Sequence, residues 1–197
     1  MISVTKKIEK YIKENHGGKV DGAIGSSLGS SFVGQLVQRR NIHIDHAIFG
    51  SPDLDQSGVL AAKLQSMLVV PLLTSFTKSE RKRAKTKKLL MNTFLMSESV
   101  ADGFMECFAK FKPESIKNQY YTDLLTYLDD DINVEHTKAH FIYANKMGEK
   151  YLKRYKKYFH NPEIREFDMQ HEQWLLGEEK YTIPVLKAID EFMDEAV

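Results

Sequence analysis

Residues 25–29 read Gly-Ser-Ser-Leu-Gly and match the pattern Gly-x-Ser-x-Gly, with Ser27 as the central serine. The residues before this pentapeptide, 20–24, are short and largely apolar, as in a buried strand, and those after it, 30–40, carry apolar side chains at helical spacing. A sharp turn from strand to helix would hold the Ser27 hydroxyl out at the carboxyl edge of a sheet as a nucleophile. Both glycines are expected to be required, because the backbone approaches itself too closely there for a side chain.

A serine hydroxyl is a weak nucleophile at neutral pH and needs a base within hydrogen-bond reach, itself oriented by a carboxylate. Such a base is expected late in the chain, in a loop after the last strand. His171 stands in that place, between a predicted strand at 163–167 and a predicted helix at 181–196. His43 and His46 lie three residues apart on one predicted strand, so they point to opposite faces and cannot converge. The sequence therefore predicts His171 as the base.

The elements that must position these two residues alternate along the chain. The spacing of apolar side chains predicts helix, strand, helix, strand, a helical segment, strand, helix, strand and helix, with further strands at 42–49 and 139–144. This alternation predicts an α/β fold with a mostly parallel sheet of about four strands and flanking helices. Residues 53–136 show helical periodicity throughout and are interpreted as a helical cap inserted into a single domain of residues 1–197.

Composition narrows the class of protein further. With 197 residues and a net charge of +1, the chain suits one domain with a sizeable core and shows no general attraction to nucleic acid or anionic membranes. The basic run at 81–88 is interpreted as a solvated helix face. The first residues lack the apolar core of a signal peptide and no apolar run reaches spanning length, so a cytoplasmic location is expected. Cys107 is the single cysteine and is expected to be a buried small hydrophobe.

These features resemble the α/β-hydrolase superfamily and are most similar to small bacterial hydrolases with a helical cap. The resemblance rests on residues 25–29, on the segment 141–146 with the helix after it, and on the late His171, and it covers most of the chain except the cap. It implies a partial α/β-hydrolase fold with Ser27 as the nucleophile and His171 as the base. It also implies that the backbone N–H of Leu28 is one oxyanion donor.

The carboxylate that would orient the base has two candidate positions. Members of this superfamily usually carry it a few residues past the strand that is predicted to end here at Ala144. That position holds Met147, with Glu149 two residues further on. The other location in the superfamily follows the preceding strand, where this chain has Asp53. Both keep the order serine, acid, histidine. The acid therefore stays open between Asp53 and Glu149, with a third alternative in which neither engages the histidine.

The resemblance also has a departure. In full members of the superfamily, several strands precede the elbow, which is the strand-to-helix turn that carries the nucleophile and corresponds here to residues 25–29. A loop among those strands supplies a second oxyanion N–H. This sequence begins instead with the helix that normally precedes the elbow strand, which is the strand that leads into that turn. The elbow strand is then expected to lack its neighbour, and an unpaired strand edge is a template for another chain. We therefore expect a homo-oligomer formed through this sheet edge.

The function implied is a serine hydrolase that acts on a small-molecule carboxylic ester or related acyl compound, with no cofactor and no metal. The alternative is a catalytically weak or inactive hydrolase-fold protein that binds a ligand or partner. Neither nucleic acid nor a membrane is expected among its partners.

Overall fold

The computed structural model describes residues 1–93 and 96–197. The strands are β1 (Lys19–Ser26), β2 (His43–Gly50), β3 (Lys138–Ala144) and β4 (Glu163–Phe167). The α-helices are α1 (Ile2–His16), α2 (Leu28–Arg39), α3 (Val59–Thr74), α4 (Glu80–Thr93), α5 (Glu98–Ala109), α6 (Pro113–Leu124), α7 (Glu149–Tyr158) and α8 (Glu179–Met193). Residues 94 and 95 fall inside the predicted helical segment and lie outside the described residues.

The four strands form one parallel sheet in the order β1-β2-β3-β4. Parallel neighbours need crossover connections, and α2 supplies the one from β1 to β2 while α7 supplies the one from β3 to β4. The predicted α/β fold class, with about four mostly parallel strands and flanking helices, is confirmed. The register sets Ser26 beside Gly50, so the carboxyl ends of β1 and β2 meet directly under the elbow.

Two apolar cores cover the two faces of this sheet. On one face, the rings of Phe49, Phe141 and Tyr155 stack at centroid distances of 4.5 Å. On the other face, Ile142 packs with Phe192 from α8. Because both faces of β2 and β3 are covered, their sequences are nearly continuous apolar runs rather than alternating ones. The edge strand β1 is far more exposed along most of its length.

The chain divides into two compact units, one formed by residues 1–55 and 126–197 and the other by residues 56–125. The first unit holds the sheet and the candidate site. The second contains α3 to α6 and has a small core of its own that includes Phe76, Leu90 and Met105. Its helical character agrees with the periodicity of the sequence, and its role as a cap stays a prediction. Within the described residues, no helix has both the length and the apolar character needed to cross a membrane.

The expectation for Cys107 was wrong, because its side chain is exposed. Helix α5 turns Ala101 and Met105 into the core of its unit, and both are fully buried. Cys107 is two residues beyond Met105, roughly 200° further around the helix, and so it falls on the opposite face.

Candidate active site

Ser27 occupies a strained turn between β1 and α2. Its backbone has φ 50° and ψ −119°, a region that non-glycine residues rarely adopt and that costs about 1–3 kcal/mol. Two backbone hydrogen bonds hold this conformation: the Ser27 N–H donates to Gly50 O at 3.0 Å, and the Ser30 N–H donates to Ser27 O at 2.9 Å. The Ser30 hydroxyl also donates to Gly25 O at 2.7 Å. The serine is therefore presented at the carboxyl end of the sheet by a turn that its surroundings enforce.

The two glycines of the motif have different roles. A Cβ on Gly25 would lie 2.3 Å from the carbonyl carbon and oxygen of Gly29 and 2.6 Å from Ser30 N, and all three are backbone atoms. A Cβ on Gly29 would meet nothing within 4 Å. The close approach expected at both glycines is therefore found at Gly25, and the expectation for Gly29 was wrong, since α2 leaves its outer side open.

His171 lies within hydrogen-bond reach of the serine. Its Nε2 is 3.1 Å from Ser27 Oγ, across 144 residues of sequence. This is the distance that a base must have to take a proton from a serine nucleophile. A second contact lies beside it, where the Ser26 hydroxyl donates to Glu172 Oε1 at 2.7 Å. The elbow and the histidine loop are thus joined by two adjacent side-chain contacts.

The loop that carries His171 is anchored to the core on both sides. Met169 is fully buried and Trp174 nearly so, both in the core on the α8 face of the sheet. The Thr182 hydroxyl on α8 donates to Trp174 O at 2.6 Å. These contacts fix the loop on both sides of the histidine.

Asp53 is the candidate acid with an electrostatic link to His171. Burial raises the pKa of Asp53, repulsion from Asp55 adds to this, and attraction from His171 and Arg154 opposes it. His171 Nδ1, the nitrogen that a triad acid would accept from, is buried and has no hydrogen-bond partner among the described residues. Asp53 therefore has an electrostatic attraction to His171 without the hydrogen bond of a completed triad.

The loop that carries Asp53 is held by two neighbouring residues of α7. Arg154 donates to Asp53 O at 2.9 Å and forms an ion pair with Asp55 at 2.5 Å. The Tyr155 hydroxyl, fully buried, donates to Pro52 O at 2.7 Å. These two hydrogen bonds fix the backbone of the loop that carries Asp53. They involve backbone oxygens and do not occupy the Asp53 carboxylate.

Glu149 is not brought to the histidine in the same way. It stands in the first turn of α7, its side chain is 86% exposed, and its carboxylate pairs with Lys153 at 4.0 Å. Asp168, close to His171 in sequence, is 80% exposed and pairs with Lys146 at 3.3 Å. Of the two acids that the sequence left open, Asp53 is the one with an electrostatic interaction with His171, and the identity of the acid stays a prediction.

Leu28 is the first residue of α2. A backbone N–H at that position has no acceptor within the helix, and it lies at the positive end of the helix dipole. This N–H adjoins the serine and is suited to receive a developing negative charge on a substrate oxygen.

Sequence reasoning missed three residues of the site, namely Ser26, Glu172 and Arg154. Ser26 occupies the variable position of the motif and Glu172 directly follows the candidate base. Their positions next to Ser27 and His171 in the sequence were therefore a weak indication that they belong to the site. Arg154 carried none, because it is about 100 residues from the acid loop that it holds.

By sequence, the chain matches no protein-family model and no curated protein. By structure it is similar to several solved hydrolases. MenH from S. aureus shares 14% identity at a TM-score of 0.64, over 98% of this chain and 76% of that one. An acetylester hydrolase from Corynebacterium glutamicum shares 11% identity at a TM-score of 0.67, over 97% and 66%. MGS-M2, an α/β-hydrolase enzyme from a deep-sea metagenome library of the Medee basin, shares 13% identity at a TM-score of 0.58, over 97% and 71%. The chain therefore has an α/β-hydrolase fold and spans about two thirds to three quarters of the length of these solved hydrolases.

Proposed function

We propose that this protein is a serine hydrolase that cleaves small carboxylic esters or related acyl compounds. The observation that carries the proposal is the 3.1 Å contact between Ser27 Oγ and His171 Nε2 at a strained strand-to-helix turn. Strain at a serine that faces a histidine is typical of an activated nucleophile. The acetylester hydrolase among the structural neighbours supports the choice of an acyl substrate.

The reaction would proceed in two steps. Ser27 Oγ attacks the acyl carbon while His171 Nε2 takes its proton, and the carbonyl oxygen becomes an oxyanion that the Leu28 N–H stabilises. His171 then gives the proton to the leaving alcohol oxygen, which leaves an acyl-serine. Water attacks this ester with His171 again as base, and the proton returns to Ser27 as the acid product departs. Asp53 stabilises the imidazolium that forms in each step.

The second candidate function is a hydrolase fold that binds an acyl ligand or a partner with little turnover. Its support is the buried His171 Nδ1 without a hydrogen-bond partner among the described residues. An imidazole whose tautomer no acceptor fixes is a weaker base, since the acid normally both orients it and stabilises its charge.

The exposed edge of β1 also supports self-association of this chain. Ile24 on this strand is 52% exposed, and β1 is an outer strand of the sheet in the part of the chain that the structure describes, so that its free edge can pair with another chain. We propose a second copy of this chain as the occupant. Sedimentation over a concentration series should show reversible association, and a clean monomer at every concentration would reject this part of the proposal.

A fluorophosphonate probe distinguishes the two functions, because it labels only an activated serine. The wild type should be labelled, while Ser27→Ala and His171→Ala should not, and mass spectrometry should place the label on Ser27. Ser115→Ala, an exposed serine on α6, is the matched control and should be labelled as fast as the wild type. No labelling of folded wild type favours the binding protein, and labelling that survives in Ser27→Ala rejects Ser27 as the nucleophile.

A further inference from the structure

A second group of titratable side chains lies at the opposite end of the sheet from Ser27. His46 on β2, His140 on β3 and Glu163 at the start of β4 follow one another across neighbouring strands. Glu195, two residues past the end of α8, completes the group. The proposed hydrolase chemistry uses none of these four residues.

Three of the side chains converge on one point. His140 Nδ1 is 3.0 Å from Glu163 Oε2, and ligand atoms of His140, Glu163 and Glu195 all lie within 4.8 Å of one another. A metal ion bound at about 2.0–2.2 Å to nitrogen and oxygen keeps its ligand atoms roughly 3–4 Å apart. The cluster is therefore close to the spacing of a coordination site and needs only small side-chain adjustments to reach it.

His140 is oriented as a metal ligand would be. Its Nε2 is 3.1 Å from His46 Nδ1, and its ring stacks on Phe192 at a centroid distance of 4.4 Å. Without an ion the Nδ1–H would donate to Glu163 Oε2; an ion bound at Nδ1 would take the place of that proton, and the Nε2–H would then donate to His46. Metal-bound histidines usually donate their second ring N–H in this manner, which fixes the tautomer and the ring.

The two carboxylates keep coordinating capacity beyond their present partners. Glu195 Oε2 pairs with Lys138 at 3.0 Å, and Glu163 Oε1 pairs with Arg165 at 3.3 Å. Each carboxylate offers two oxygens with several lone pairs, so an ion can share them without displacing either cation.

The cluster can be reached from solvent. Glu195 lines a cleft of about 600 Å³ together with polar side chains that include Lys19, Asp21, His43 and Asp45, and the Glu163 side chain is itself 36% exposed. An ion can therefore reach the two carboxylates from solvent, whereas His140 itself is fully buried.

We propose that His140, Glu163 and Glu195 bind a divalent transition-metal ion, for which one imidazole and two carboxylates make Zn²⁺ the best fit. The ion would join β3 and β4 to the segment after α8, and its role would be structural, because the site is at the other end of the sheet from Ser27. This proposal does not depend on the hydrolase function.

Isothermal titration of Zn²⁺ into the full chain, stripped of metal with a chelator, tests it directly. The wild type should bind one Zn²⁺, and Glu195→Gln and Glu163→Gln should each bind it roughly tenfold or more weakly. His43→Asn is the matched control, since His43 lines the same cleft and contacts Asp45 at 2.7 Å without belonging to the cluster. It should bind as the wild type does.

Thermal unfolding provides a second measurement of Zn²⁺ binding that applies even if a variant is destabilised. Zn²⁺ should raise the unfolding temperature of the wild type and of His43→Asn, because a ligand that binds only the native state stabilises it. At the same Zn²⁺ concentration it should raise that of Glu195→Gln by less, in proportion to the weaker binding. The absence of binding to the wild type, equal binding by the glutamine variants, or loss of binding only in His43→Asn would each overturn the proposal.

Discussion

The Ser26 hydroxyl donates a 2.7 Å hydrogen bond to Glu172, immediately beside the 3.1 Å contact between Ser27 and His171. Ser26 is the last residue of β1, and Glu172 adopts a left-handed backbone with φ 55° in the histidine loop. The bond therefore ties a rigid strand end to the loop whose position decides whether the imidazole reaches the serine. We interpret Ser26 and Glu172 as positioning residues that act through His171.

Removal of this bond should lower turnover while it leaves substrate binding intact. In Ser26→Ala the histidine loop loses its tie to β1, and a misplacement of the base by about 1 Å can cost up to 100-fold. We expect kcat to fall roughly 10- to 100-fold with little change in KM. Steady-state kinetics on a chromogenic ester would measure both constants.

The conservative variant at the other end of the bond provides the control. Glu172→Gln keeps an oxygen that accepts from Ser26 and should retain most of the turnover, whereas Glu172→Ala should resemble Ser26→Ala. Equal kcat in Ser26→Ala and the wild type would show that the loop is held without this bond.

The two glycines of the elbow should respond in opposite ways to alanine. Gly25→Ala places a Cβ 2.3 Å from backbone atoms of Gly29, and backbone cannot yield without opening the turn. We expect a loss of roughly 3 kcal/mol or more in the free energy of unfolding, as for other severe overpacking. Gly29→Ala meets open space within a helix, where alanine is favoured by about 0.5–1 kcal/mol.

Urea unfolding of both glycine variants would measure this difference. Probe labelling should disappear in Gly25→Ala and persist in Gly29→Ala. A Gly25→Ala variant as stable as the wild type would contradict the close approach seen at the elbow.

The sequence was sufficient for the sheet, because each strand leaves a signal in its own residues. The apolar runs of β2 and β3 reflect burial on both faces, and the motif around Ser27 marks the turn that ends β1. The acid that serves His171 could not be predicted from the sequence, because its identity depends on the path of the loop after β2. Arg154 and Tyr155 on α7 hold this loop through contacts about 100 residues apart in sequence, and no local pattern records such contacts.

Asp53 should matter for activity and Glu149 should not. Asp53→Asn removes the charge that stabilises the His171 imidazolium, and we expect kcat to fall roughly 10²- to 10⁴-fold, the range that acid–base catalysis contributes. Glu149→Gln, at an 86% exposed side chain, is the matched control and should behave as the wild type. A loss of activity in Glu149→Gln alone would assign the acid to the other loop.

The same substitution at Asp53 should raise stability at neutral pH. Burial raises the folded-state pKa of Asp53 above its unfolded value, so the folded protein holds this proton more tightly. Stability from this group is fully present below the unfolded pKa of about 3.9 and is lost as the pH rises through the folded pKa. As the pH rises towards about 7 the wild type therefore loses this stability, whereas Asp53→Asn, which does not ionise, keeps it.

Urea midpoints at two pH values would test this sign. Asp53→Asn should be more stable than the wild type at about pH 7, and the difference should shrink towards about pH 3.5, where Asp53 is protonated in both states. Asp168→Asn, 80% exposed, should show neither effect. A variant less stable than the wild type at neutral pH would mean that attraction from His171 and Arg154 outweighs burial. In that case the ionised Asp53 carboxylate would stabilise the folded state, rather than destabilise it in return for a role in the site.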